Sequence, residues 1–272
     1  MLGWSINLFR VFGIQLAIHV SFFLLLAYFG WEGWMQAGAT GALWSVLVVT
    51  LFFGCVVLHE LGHSLTARRY GVQVPRILLM PIGGMAEFDR IPRRPSAELL
   101  ITIAGPLVNF VLVAALLPLV WHDLWSEQAL PLYGAKMTLI QLAIGNLVMG
   151  TFNLLPVFPM DGGRILRALL ARKMDYLVAT RRAVIIGKIA APLLAVAAVY
   201  FLDWYLLAVL FIFIFFAGDA EYRQLLRREQ EAAYWTDWAK RVAAVQTTQA
   251  AAAQNPDDPS APPPPIVLHG PN

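Results

Sequence analysis

The chain has 272 residues, of which 59% are hydrophobic and only 14% charged, and its mean hydropathy is +0.64. That balance excludes an ordinary soluble domain and describes a polytopic membrane protein. The formal net charge of +3 comes with no nucleic-acid recognition motif, so contact with anionic lipid accounts for it and nucleic acid is excluded as a partner.

Taken in chain order, the first pattern is an alternation. Ile6, Leu8, Arg10, Phe12, Ile14, Leu16 and Ile18 occupy every second position, with Gly13 as a bend. This predicts a β-hairpin at the membrane surface. An apolar segment at 20–37 follows, with no small-residue cleavage site after it, and reads as a retained span rather than a signal peptide. The next span, 41–67, carries no charge before Glu60 and contains His59-Glu60-Leu61-Gly62-His63. Gly71 ends that helix. A second hairpin is expected from strands at 72–80 and 85–88 joined by a turn at 81–84. Further spans are expected at 97–121, 136–158, 183–201 and 203–218, each able or nearly able to cross about 30 Å of hydrocarbon. The expected fold is therefore an all-α polytopic membrane protein of about six transmembrane helices, with small membrane-associated β-hairpins on the cytoplasmic side. After Gly218 come an amphipathic juxtamembrane helix at 221–246 and an Ala/Pro-rich tail at 247–272 that is expected to be disordered.

Basic residues set the expected orientation. Arg68, Arg69, Arg76, Arg90, Arg93 and Arg94 fall between the second and third spans. Arg164, Arg167, Arg172, Lys173, Arg181 and Arg182 fall between the fourth and fifth, and the opposite side has Lys136 alone. By the positive-inside rule both termini and these two loops are cytoplasmic, in a multi-pass protein of the plasma membrane.

The pentapeptide at 59–63 carries chemistry. On a helix His59 and His63 lie one turn apart on one face, so both imidazoles reach one Zn²⁺ while Glu60 addresses its water. Ionisable groups at membrane depth are costly and mark function. A catalytic zinc needs a third protein ligand. Asp161 is the best candidate, because Pro156 and Pro159 break the fourth span just before it and Gly162-Gly163 let the chain turn there. Glu87 and Glu98 are the other acids in reach. Cys55, the single cysteine, lies one turn before His59; it allows no intrachain disulfide and reads as a packing residue.

Three motifs in three successive spans, His59 to His63, Gly105-Pro106-Leu107-Val108-Asn109, and Asn153 to Gly163, resemble those of the site-2 proteases, the intramembrane zinc metalloproteases. The resemblance covers residues 1–220. It implies a metalloprotease domain with core spans 41–67, 97–121 and 136–158, one zinc per chain on His59, His63 and Asp161, and Glu60 as catalytic base. It further implies that Asn109 and Asn153 border the active site, as substrate-binding or oxyanion groups. It implies single-span membrane proteins as substrates. His19 fits a similar family pattern and reads as structural. The PDZ and CBS domains that some branches carry have no counterpart in the pattern of this chain. A transmembrane helix hides its peptide bonds, so substrate must unwind, and an extended segment is expected to dock on a strand edge near Gly83 and Gly84. The competing readings are a membrane zinc protease of another class, a zinc transporter and an inactive scaffold.

Overall fold

The computed structural model describes residues 4–89, 92–124, 134–202 and 205–254. Alternation at the N-terminus gives strands β1 (Ser5–Val11) and β2 (Ile14–His19). They pair antiparallel through a two-residue turn whose Phe12 and Gly13 both have positive φ, 50° and 77°, the turn whose twist matches that of the strands. The second hairpin comprises β3 (Arg76–Met80) and β4 (Gly83–Glu87), turned at Pro81 and Ile82. The two hairpins are not separate. β2 pairs parallel with β3, from Gln15 opposite Arg76 to Ile18 opposite Leu79, giving one four-stranded sheet in the order β1-β2-β3-β4. Ile14, Leu16, Val72, Val74 and Ile77 pack on Leu61 and Ala67 of the metal helix, and Ile101 joins them.

That helix, α1 (Ser21–Arg69), holds the first two expected spans. Its helical path breaks at Ala37 and at Gly38, where φ is +59°, and it doubles back. A side chain at Gly33 or Gly41 would strike the other glycine's carbonyl, one at Gly30 would fall 3.2 Å from Val46, and Phe22 stacks edge-on against Phe53 with ring centres 4.6 Å apart. Small residues thus let the two halves pack backbone to backbone. The metal half ends at Tyr70, and Gly71 follows with φ +73°.

Helix α2 (Pro95–Leu124) packs against both α1 and α3 (Ala135–Asn153). Then α3 stops at Asn153, and α4 (Asp161–Leu170) begins after the proline-containing turn at 154–160. The expected span 136–158 is therefore shorter than its apolar stretch, because Pro156 and Pro159 remove the backbone donors that would continue it. Helix α5 (Tyr176–Leu202) follows, and α6 (Tyr205–Gln254) closes the chain.

Among the described residues, four helices are long and apolar enough to cross a membrane: Ser21–Arg69, Pro95–Trp121, Ala135–Asn153 and Tyr176–Tyr200. The first two expected spans are the two halves of Ser21–Arg69, which fold back on each other at Ala37 and Gly38, and the last, 203–218, begins at 203 and 204, outside the described residues. The chain divides into two units, 1–219 and 220–272. In the second, α6 runs on to Gln254, into the segment expected to be disordered, through alanines that favour helix. Residues 255–272 of the expected tail, and 125–133 of the loop after α2, lie outside the described residues.

Candidate functional site

Helix α1 presents His59 and His63 one turn apart, both buried, with their Nε2 atoms 3.1 Å from each other. What each ring does with its other nitrogen settles what those Nε2 atoms are. His63 Nδ1 donates to the Ile101 carbonyl at 2.8 Å. His59 Nδ1 lies 2.5 Å from Asn109 Oδ1, and Asn109 uses its amide nitrogen to donate to Asn146 Oδ1 at 3.0 Å. The Asn109 oxygen therefore accepts, so His59 Nδ1 carries the hydrogen. Asn146 is held in turn, donating to the Leu142 carbonyl at 2.8 Å. Both imidazoles are thus fixed as Nδ1–H tautomers with the Nε2 lone pairs facing inwards.

The third group is Asp161, the first residue of α4. Its Oδ2 lies 3.4 Å from His59 Nε2 and 3.2 Å from His63 Nε2. It is buried and accepts no hydrogen bond. Three lone pairs converge with no proton between them, an arrangement that is repulsive unless a cation sits among them. The three ligand atoms lie within 4.8 Å of one another, and two imidazoles plus one carboxylate are the donor set of a catalytic zinc. The residues fit the metal. Cys55, buried near them, is not in this group.

Several local features hold the ligands there. A Cβ on Gly105 would fall 2.8 Å from His59 Nε2 and collide with the His63 ring, so α2 can approach only as glycine. Gly62 is likewise pressed on α2, where a Cβ would be 2.7 Å from the Ala104 carbonyl. At the start of α4, side chains on Gly162 or Gly163 would meet the backbone of 154–158, so the Gly-Gly pair folds Asp161 over the turn. The far end of α4 is pinned by Arg167, fully buried, which donates to Glu98 Oε1 of α2 through Nε at 2.8 Å and through a terminal nitrogen at 2.5 Å. Its guanidinium lies over the rings of Phe158 and Tyr176. Glu98 is therefore committed to Arg167, and Glu87 stands in β4 opposite Arg76; neither is among the metal group of the described residues.

Glu60 is half-buried in the wall of an open cavity of about 800 Å³. His59, Gly83, Gly84, Asn153 and Met160 share that wall. Gly84 of β4 lies against the acid, since a Cβ there would be 2.6 Å from Glu60 Cγ. Asn153 donates to the Met149 carbonyl at 3.0 Å. Asn109 stands elsewhere: it is fully buried behind His59 and does not line the cavity. His19 receives the Ser21 amide on Nδ1 at 3.2 Å and caps the start of α1. Glu98, an alternative third ligand by sequence, pairs with Arg167 instead, and sequence reasoning missed Asn146 and Arg167 as residues that support the site. The one signal available for Asn146 was a polar residue within an apolar stretch, which does not say what it faces.

A family model described as peptidase family M50 matches residues 47–128 and 118–197, which include His59, Glu60, His63 and Asp161. The chain is 40% identical to "Zinc metalloprotease MJ0392" of Methanocaldococcus jannaschii over 82% of its own length and 62% of that relative's. It is 29% identical to "Stage IV sporulation protein FB" of Bacillus subtilis, covering 77% of this chain and 67% of that one. Among solved structures, the "Site-2 Protease from Methanocaldococcus jannaschii" is 37% identical and matches with a TM-score of 0.56 over 80% of this chain and 95% of that one. The chain thus spans under two thirds of the length of MJ0392, and 44% of the length of relatives from Synechocystis sp. and Mycobacterium tuberculosis.

Proposed function

The chain belongs to peptidase family M50, the site-2 protease family, and from that premise we propose that it is an intramembrane zinc metalloendopeptidase, hydrolysing peptide bonds in or near the transmembrane segments of single-span membrane proteins. The observation that carries this reading is the convergence of three lone pairs, from His59, His63 and Asp161, beside a carboxylate in an open cavity.

His59, His63 and Asp161 hold one zinc per chain. When bound, zinc supplies Lewis acidity that brings the pKa of water towards neutrality and polarises a carbonyl. Glu60 takes a proton from the attacking water and returns it to the departing amine. Asn109 keeps His59 in the tautomer that offers Nε2, and the Ile101 carbonyl does the same for His63. Asn153, with one amide hydrogen on Met149, offers the other to a substrate carbonyl. Substrate lies extended along β4, the outer strand of the sheet, where the side chain position of Gly83 is open and Gly84 lets the strand lie directly against Glu60. The multi-pass chain sits in the plasma membrane with its basic loops, and the mouth of the cavity, on the cytoplasmic side.

Reconstituted protein given a panel of tagged single-span polypeptides tests the reading. Glu60→Gln is expected to keep its zinc and lose at least about 10²-fold in cleavage rate, the contribution of a general base. Wild-type rates in that variant would remove Glu60 from the chemistry. Bound zinc with no cleavage of any panel member by the wild type would make the chain a scaffold.

A further inference from the structure

The cavity beside Glu60 does not end near the metal ligands. A second cavity, of about 140 Å³, shares Phe29, Val48, Val49 and Gln141 with it and extends to Ser45, Gly134 and Thr138. Together they form one groove between α1 and α3. Along α1 it runs from Glu60 to Trp44, roughly 24 Å of helix axis at 1.5 Å per residue, which approaches the thickness of a bilayer's hydrocarbon. The walls are apolar for most of that length, and Gln141 interrupts them. Its side chain is exposed and makes no hydrogen bond among the described residues, although α3 is one of the helices long and apolar enough to cross a membrane. A carboxamide left bare at membrane depth is costly unless something that enters the groove satisfies it.

We propose that Gln141 is a specificity-determining residue, whose carboxamide selects a polar side chain in the transmembrane helix that lies in this groove. The inference rests on the protease reading above and adds a rule for substrates. From Asn153, beside the site of cleavage, to Gln141 is roughly 18 Å along α3. A helical substrate covers that distance in about 12 residues; one whose first three residues are extended covers it in about 8. Substrates therefore carry Asn, Gln, Ser or Thr about 8 to 12 residues from the scissile bond, on the side that runs into the groove. A wholly apolar segment would cover the Gln141 carboxamide without a partner and is a poorer substrate.

The test uses the full-length protein in proteoliposomes and a set of single-span Leu/Ala polypeptides in which one Asn is moved residue by residue through the transmembrane segment. Cleavage is expected to peak with Asn in the 8 to 12 window, by roughly 3- to 20-fold over the all-apolar parent, the range that interhelical hydrogen bonds in membranes give. Gln141→Leu should flatten that peak. A profile with no peak, or a peak that survives in Gln141→Leu, overturns the proposal while leaving the protease reading intact. Absence of any Glu60-dependent product across the set overturns the protease reading, and this rule with it. Because Gln141→Leu could fold poorly, disulfide trapping supplies an independent arm. With Val48→Cys in a Cys55→Ser, Glu60→Gln background, a substrate cysteine should be trapped when it is about 8 to 12 residues from the scissile bond, because Val48 is also roughly 18 Å along the helix from Glu60. Trapping that is independent of position, or none, also counts against the groove.

Discussion

At the scale of residues, Gly105 controls how closely α2 can approach the two histidines. Gly105→Ala would put a methyl group onto both imidazoles, so zinc measured on the purified variant should fall well below one per chain. Gly54→Ala, on the same helix as the histidines but with nothing within 4 Å of its Cβ position, should keep full zinc and serves as the control. Asn109 acts one step further out. Asn109→Ala removes the acceptor for His59 Nδ1 and should weaken zinc binding by about 10- to 100-fold, as loss of such outer partners does. Competition with a chelator reads this directly, and activity should return with added zinc. The pairing of the two histidines, and the position of Glu60 beside them, were legible in the sequence because five consecutive residues on a helix fix their own geometry. Asp161 was legible because prolines and glycines around it leave the helix no way to continue. Asn146 and the Ile101 carbonyl were not, since their roles depend on which faces of α2 and α3 meet, and no local pattern states that.

Among the elements, α4 carries Asp161 at one end and Arg167 near the other, where Arg167 donates two hydrogen bonds to Glu98 at the start of α2. Arg167→Met would leave the Glu98 carboxylate buried without its partner, a loss of about 3–5 kcal/mol in comparable pairs. The variant should unfold at lower temperature in detergent and release zinc faster as Asp161 loses its support. Arg167→Met combined with Glu98→Gln should recover much of the lost stability, because the uncompensated charge is gone. The strands illustrate what local pattern can and cannot convey. Period-2 alternation and the glycines placed both hairpins near their true positions. The parallel pairing of β2 with β3 joins residues some sixty positions apart in the chain, and alternation within a strand is the same whichever neighbour it finds. Apolar length likewise located the two halves of α1 on either side of Gly38, but it carries nothing about the glycine-to-glycine approach that packs them together.

For the whole molecule, the groove and the basic loops make a statement about sidedness. Met160 lines the cavity beside the metal group, so Met160→Cys in a Cys55→Ser background should react several-fold faster with a small hydrophilic thiol reagent on inverted vesicles than on right-side-out ones. Equal labelling from both sides would remove the cytoplasmic opening. The sheet bears on the same question through the order in which the chain is made. β2 immediately precedes α1 and β3 closely follows it, yet the two strands lie side by side, about 4.8 Å apart as neighbours in a sheet are. Between them the ribosome must release all of α1, which as an unbroken rod would be about 74 Å long. The strands can meet only if that rod has entered the bilayer and come back out on the side it started from. A nascent chain in which α1 crossed once would strand β2 and β3 in different compartments, with no sheet and no glycine edge over Glu60. Formation of the sheet would therefore report on insertion: β4, the outer strand beside Glu60, joins the sheet only in molecules whose α1 has returned to the side it started from.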